Sequence, residues 1–446
     1  MKRFKKILKI FFITILFLIL LGIGFTFFFG DKIEKIILTK INAKLKNELK
    51  AEIEFSLFEN FPYASATLKD ILILESFENS SDTLIFSAKG IIKLNILDII
   101  SEDYSIKNLA FENSVIKIKY DENGNSNFNI LKDNNKGNNN FELSNLDITN
   151  SKITFLNKTE GVYIYTDIEE LNCSLIKENQ KIISNLKGRL SSQSLLVSNI
   201  DYINNKNVEV DSEIRINSDS VLINSKKLII GGVEFKNLNF KYINSEYLLM
   251  TKTENENISE VILATPKKFQ YLYEDHEISG RISANILIRK ENEFENPYSE
   301  IDFKLTNCQY KSTSQPFELK NISADIHFDN GIERNFTSTQ FHFTNFKSSK
   351  KNGDFNGDFI LTNLNKYYLD ADIFSSWDLK ELNDFIEDSP FNNLKGTVSG
   401  NINYHGNLSF DNEMNKYFAN SKHNADLKFK DVSFNYEDSK LDFKFK

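Results

Sequence analysis

Proline and glycine are scarce, with 5 Pro and 17 Gly in 446 residues, where average usage would be about 5% and 7%. So few helix stops and turn formers argue against a string of compact, loop-rich modules, although length alone suggests about three domains at ~150 residues each. They point instead to long elements repeated many times. Residues that carry chemistry are also few: 5 His, 2 Cys and 1 Trp leave little material for a metal centre or a thiol nucleophile. No enzyme, catalytic group, metal or cofactor is expected. A basic excess is missing too, since 54 Lys and Arg against 62 Asp and Glu leave a net charge of -8, which argues against nucleic acid as a partner. Cys173 and Cys308 lie far apart with no C-x-x-C and no third partner. They could pair in an exported compartment, but two small buried side chains are the plainer expectation. What the chain has in abundance is Phe at 39 and Tyr at 17, within a hydrophobic content of 41%. That is material for a large apolar surface and excludes a disordered chain.

The amino terminus reads MKRFKK, and an uncharged run of mostly Phe, Ile and Leu follows from Ile10 to Gly30. From Ile7 to Phe29 a helix would rise about 34 Å, enough for a hydrocarbon core of ~30 Å. Lys2, Arg3, Lys5 and Lys6 favour keeping that end in the cytoplasm and exporting the rest. A cleaved signal peptide is the rival reading, because Gly22-Ile23-Gly24 offers a small-x-small site, but the apolar run continues past it to Phe29. No Cys is near, so a lipid-modified anchor is excluded. Residues 1–30 are therefore expected to be a basic tip and a single membrane span. Over residues 31–50, Ile33, Ile37, Ile41, Leu45 and Leu49 recur every four positions among Lys and Glu, which predicts an amphipathic helix just outside the membrane. It could pack on the first sheet, serve as a ramp between bilayer and sheet, or both.

After Ala51 the period becomes two. Val208, Val210, Ile214 and Ile216 share one strand face against Glu209, Asp211, Glu213 and Arg215, and Ile282, Ala284, Ile286 and Ile288 share another. From Leu394 to Phe410 alternate positions hold no polar residue, so the strand is far longer than usual, with one apolar and one solvated face. The stretch from Ile53 to Lys446 is read as antiparallel strands joined by Asn-, Gly- and Ser-containing turns such as Asp121-Glu122-Asn123-Gly124. Internal repeats support this. NLAFENSVI at Asn108 returns as NLDITNSKI at Asn145, and ISGRISANI at Ile278 matches LKGTVSGNI at Leu394. Short helices are expected before each copy of the larger unit. One is placed near 266–275 with Pro266 at its start. The other is placed near 376–388, with Ser375 and Asp378 as a capping box and Leu379, Leu382, Phe385 and Ile386 on one face. The expected divisions are 51–135, a first β module, and 141–446, a tandem of multi-strand units. The last residues, Leu441 to Lys446, stop in full alternation, from which the expectation is that the chain is the amino-terminal part of a longer protein.

These features resemble one family. The basic start and single span, Phe61-Pro62 before a strand, the segment Ala88 to Leu97 leading to Asp98, the phrase Ile106-Lys107-Asn108-Leu109, and Gly124 followed by Asn127-Phe128-Asn129-Ile130-Leu131 resemble the amino-terminal domain of AsmA-like proteins. The patch from Asp378 and Leu394-Lys395-Gly396 resemble later parts of that family. It is related to chorein-type bridge proteins, and the resemblance implies a long, curved, repeating antiparallel β-sheet forming a hydrophobic groove. That groove would be anchored in the inner membrane of a two-membrane bacterium with most of the chain in the periplasm. The implied role is phospholipid movement and outer-membrane maintenance, and no catalytic residues come with it; the partners expected are phospholipid acyl chains and the inner membrane, with outer-membrane or envelope proteins as candidates at the distal end.

Three motifs bear on chemistry. Asp121, Asn123 and Asn125 have the odd spacing of a calcium loop, but Ser126 and Lys132 stand where Gly and Glu are needed. Asp354, Asn356 and Asp358 fail similarly. The five His are never paired at ligand spacing on one element, and His342 points away from Phe341 and Phe343.

If the chain is a lipid conduit, the lipid-facing candidates are Ile282, Ile286, Ile288, Val398, Ile402, Tyr404 and Leu408, with Thr397, Asn401 and His405 facing away. Two alternatives remain: the apolar face could be the core of a sandwich, or the chain could be a non-transporting scaffold binding outer-membrane proteins along its strand edges. A β-helix enzyme on polysaccharide is disfavoured by long strands and the lack of a carboxylate cluster.

Overall fold

The computed structural model describes the chain from residue 31 to 445, apart from residues 40, 44, 47–48, 61–62, 96–107, 131–140, 160, 179–180, 198–199, 218, 271–272, 274–275, 314–317, 351–352, 383–390, 409–420 and 437–441. The expected anchor over 1–30 lies outside the described residues. Among those described, no helix is long and apolar enough to cross a membrane. The chain is mostly strand, and it divides into one unit ending at Asp219, with Pro266–Lys268, and a second formed by the remainder from Ser220. The sequence pattern marks no boundary there.

In the first unit β1 (Lys50–Asn60), β2 (Tyr63–Leu74), β3 (Thr83–Asn95), β4 (Asn108–Tyr120), β5 (Phe141–Asn157), β6 (Val162–Glu178), β7 (Lys181–Val197) and β8 (Ile200–Ile216) pair in chain order. The ladder is antiparallel with one exception, a correction to the uniform pattern read from the sequence. β4 and β5 are parallel, with Asn108 beside Asn145 and Ile116 beside Ile153. The small repeat therefore consists of two neighbouring strands running the same way in matched register. A parallel pair needs a crossover of a dozen residues or more, and the chain between Tyr120 and Phe141 supplies it.

Helical residues 31–39 place Ile33 and Ile37 at 4% and 2% exposure against Ala64, Ala66, Leu68, Ile92 and Leu94. The small alanines let the helix approach the sheet, and burying each isoleucine contributes ~1.5–3 kcal/mol. Glu34 Oε1 also accepts from the Phe55 amide at 2.8 Å, so the helix takes up a backbone donor of β1 that an edge would leave open.

Asn127 and its neighbours tie the post-β4 loop to this core. Asn127 is fully buried, its Oδ1 accepts from the Lys119 amide at 2.8 Å, and its Nδ2 donates to the Lys117 carbonyl and the Glu75 carboxylate. The Ile130 carbonyl accepts from Lys46 at 2.7 Å, and Ile130 packs on the core. Before it, Asp121 closes a turn: its Oδ1 accepts from the Asn123 and Asn125 amides, and the Asn125 side chain holds its carboxyl below the usual range.

The second unit continues with β9 (Ser220–Ile230), β10 (Val233–Ile243), β11 (Glu246–Asn257), β12 (His276–Lys290), β13 (Tyr298–Ser312), β14 (Glu318–Asp329), β15 (Gln340–Lys350), β16 (Gly353–Thr362), β17 (Tyr368–Asp378), β18 (Phe391–Asn407), β19 (Lys422–Tyr436) and β20 (Asp442–Phe445), each antiparallel to the next. The sheet is open. Short helices fall inside both expected stretches, with an additional helix before the first and a different cap on the second. A helix over Ile258–Ala264 precedes the short helix Lys267–Gln270, and Asn257 caps it by accepting from the Ser259 amide. Ile258, Val261 and Ile262 are β-branched and read as strand; the cap and packing override them. The later helix is Leu379–Leu382, capped by Asp378, whose Oδ1 accepts from Lys380. Ser375 is not its cap; that residue lies inside β17 and is buried.

A further regularity runs through both units. Mid-strand residues Asp70, Asn113, Asn150 and Asn205, then Asn237, Asn255, Asn307, Asn321, Asn345 and Asp431, all have φ near +50°. Asn and Asp tolerate this left-handed conformation better than other L-residues. A kink of this kind shifts the alternation by one: Ala64, Ala66 and Leu68 before Asp70 and Ile71 and Ile73 after it belong to or pack against one core cluster although their parity differs. Serines follow two of the kinks and bond what the ladder leaves open. Ser151 Oγ accepts from the Ser114 amide at 2.9 Å, and Ser114 Oγ donates to Ser87 Oγ at 2.7 Å. Such irregularities bend strands and increase twist.

Candidate functional site: the apolar face of the second unit

The pairing registers place one apolar face across the second unit. On β12 it carries Ile282, Ala284, Ile286 and Ile288, which oppose Leu305, Phe303, Ile301 and Ser299 of β13. On β18 it carries Val398, Ile402 and Tyr404, which oppose Trp377, Ile373 and Ala371 of β17. Leu408 follows β18 with the same parity, and its amide donates to the Tyr367 carbonyl at 2.7 Å. All seven sequence candidates thus share a face, as two clusters with β14 to β16 between them. Ile282 is buried and the other six are half-buried.

What joins the clusters is a run of phenylalanines that the sequence reading did not single out. Phe328 meets Phe341 at 4.9 Å between ring centroids, Phe343 stacks on Phe359 at 4.3 Å, and Phe346 meets Phe359 at 5.5 Å and Phe355 at 5.4 Å. Offset and edge-on pairs of this kind contribute beyond their area. The signal was present in Phe341-x-Phe343 and Phe355 to Phe359, but the kink at Asn345 hides the continuity. Most of these rings are half-buried by lateral neighbours, and the buried cluster of this region, around Cys308, Ile322, Ala324 and Phe346, draws its packing from β13 to β16 and from Ile258. Cys308 is buried and Cys173 half-buried, both as free thiols, and burial pushes each thiol's pKa up.

The opposite face is ionic. His405 Nδ1 lies 2.7 Å from Asp370 and Lys311 3.0 Å from Glu277. Lys252 and Lys236 hold the Glu254 carboxyl down at about 2. Thr397, Asn401 and His405 lie on this side, opposite Asp378, Phe374 and Asp370. His327 meets Glu300 and Asp302 here, a grouping across strands that spacing within one element could not reveal. Its Nδ1 is 2.8 Å from Asp302 and its Nε2 3.4 Å from Asp329. The Asp302 bond raises the imidazole pKa, and both nitrogens are engaged by carboxylates.

Lys350 puts a cation on the apolar side. Lys350 ends β15 with the parity of Phe346 and Ser348, and its Nζ sits 2.7 Å from the centroid of Trp377. Burial pushes its pKa down to about 8, against the pull of Glu381 and Asp354.

Comparison of the chain with protein-family models, with curated proteins and with solved structures returns no match.

Proposed function

We propose that the chain is a lipid conduit, an inner-membrane-anchored periplasmic protein whose apolar sheet face carries phospholipid acyl chains between membranes and so maintains the outer membrane. The observation that supports it best is the half-buried aromatic run between the two isoleucine-bearing clusters. Exposing acyl chain to water costs ~0.8 kcal/mol per CH₂, so a two-chain lipid crossing an aqueous gap needs a continuous apolar surface. A sheet with one ionic and one apolar face, most of whose large side chains keep part of their surface open, offers that track. The resemblance to AsmA-like proteins in Phe61-Pro62 and the Asn127 motif points to the same role, and the membrane assignment rests on the run from Ile7 to Phe29.

Native mass spectrometry of the full chain, released from membranes in mild detergent, tests this reading. Wild type should retain more phospholipid than the Ile286→Asp, Ile402→Asp double variant, the anchor contributing equally to both. Equal retention would remove the conduit.

A further inference from the structure

We infer that Lys350, resting on Trp377 at the rim of the aromatic run, binds the phosphate of an anionic phospholipid whose tails lie on the half-buried Phe355 and Phe359. The inference rests on the conduit reading and specifies which headgroup the face prefers and where.

The Lys350 ammonium has three donors to satisfy. Its Nζ is shielded from solvent and has no hydrogen-bond partner. Glu381 and Asp354 act on its charge from a distance, and the Trp377 ring offers its face. A ring face offsets only part of the cost of desolvating a cation, so the folded chain holds an ammonium short of an anion. The neighbourhood restricts what that anion can be. Lys350 pairs with Gly353, and along β16 a rise of about 3.3 Å per residue puts the half-buried Phe355 ~7 Å and Phe359 ~20 Å along the strand from that pair, spanning the ~15 Å depth of one leaflet of a ~30 Å hydrocarbon core. Phe346 meets Phe355 at 5.4 Å and Phe359 at 5.5 Å. An ammonium at the strand end followed by an aromatic floor of that length matches an amphiphile with a negative head. A free anion would leave the floor unused, and a zwitterionic lipid brings its own cation beside the phosphate, which competes with the Lys350 ammonium.

Trp377 is the only tryptophan in the chain, so intrinsic emission reads this spot directly. The full chain is titrated with short-chain phosphatidylglycerol, with phosphatidylcholine of the same acyl length, and with inorganic phosphate. Phosphatidylglycerol is expected to shift Trp377 emission and to bind roughly ten-fold more tightly than phosphatidylcholine, with little response to phosphate alone. Lys350→Gln should erase that preference while phosphatidylcholine binding stays, and Lys350→Arg should keep it; thermal unfolding checks that both variants fold. An unchanged preference in Lys350→Gln would overturn the inference and leave the conduit standing. A full response to inorganic phosphate would overturn the lipid assignment. Wild type that binds neither lipid would remove the conduit and this inference together.

Discussion

At the scale of single residues, two buried polar groups have opposite standing. Asn127 has its side-chain oxygen and nitrogen both engaged and bonds the otherwise costly Glu75, which is 3% exposed. Burial alone would raise the Glu75 pKa, but hydrogen bonds from Ser80, Asn127 and Lys119 outweigh it and bring it below the ordinary value. Asn127→Ala removes these bonds and leaves buried groups unsatisfied, so the first unit should lose ~2–4 kcal/mol in denaturant unfolding. Lys350 carries a cost instead. With a folded pKa near 8 against an ordinary 10.5, it is charged in both folded and unfolded chains below pH 8, and there the folded state bears the whole penalty. That penalty fades as pH rises from 8 toward 10.5. Lys350→Met should therefore raise the unfolding temperature at pH 7 and leave it nearly unchanged above pH 10.5. A lower unfolding temperature at pH 7 would show that the ammonium is stabilising.

At the scale of elements, the mid-strand Asn and Asp kinks decide what could be read in advance. β12 and β18 keep one parity from Ile278 to Ile288 and from Gly396 to Gly406, so their apolar faces were visible as plain alternation. β13, β14 and β15 change parity at Asn307, Asn321 and Asn345. Their phenylalanines therefore fall on mixed odd and even positions, and the middle of the face was hidden. The same physics underlies the larger repeat. Gly280 and Gly396 have φ of +122° and +101°, and a Cβ on either would strike the backbone of Cys308 or Asp431, beside or at a kink on the next strand. The sequence showed the repeated Asn-Ser but not the backbone that requires it, nor that its two copies run parallel. Asn113→Val forces a β-branched residue into the left-handed region and should cost ~1–2 kcal/mol or more in urea unfolding, whereas Asn113→Gly should be nearly neutral.

At the scale of the molecule, the claim is that one sheet face works as a track. A charge placed in its path should block passage without unfolding the sheet, since desolvating an unpaired ionised group costs several kcal/mol even after relaxation. Ile286→Asp and Ile402→Asp occupy matching places in the two repeats. Each alone should fail to complement an envelope defect while immunoblot level and protease resistance stay normal. A scaffold that binds by its strand edges would tolerate both, because its binding groups are backbone amides. The most direct measurement is photocrosslinking in living cells. Probes at Val398, Ile402, Tyr404 and Leu408 should capture phospholipid, and probes at Thr397, Asn401 and His405, on the ionic side, should not. Capture from both sets alike, or from neither, would contradict the conduit.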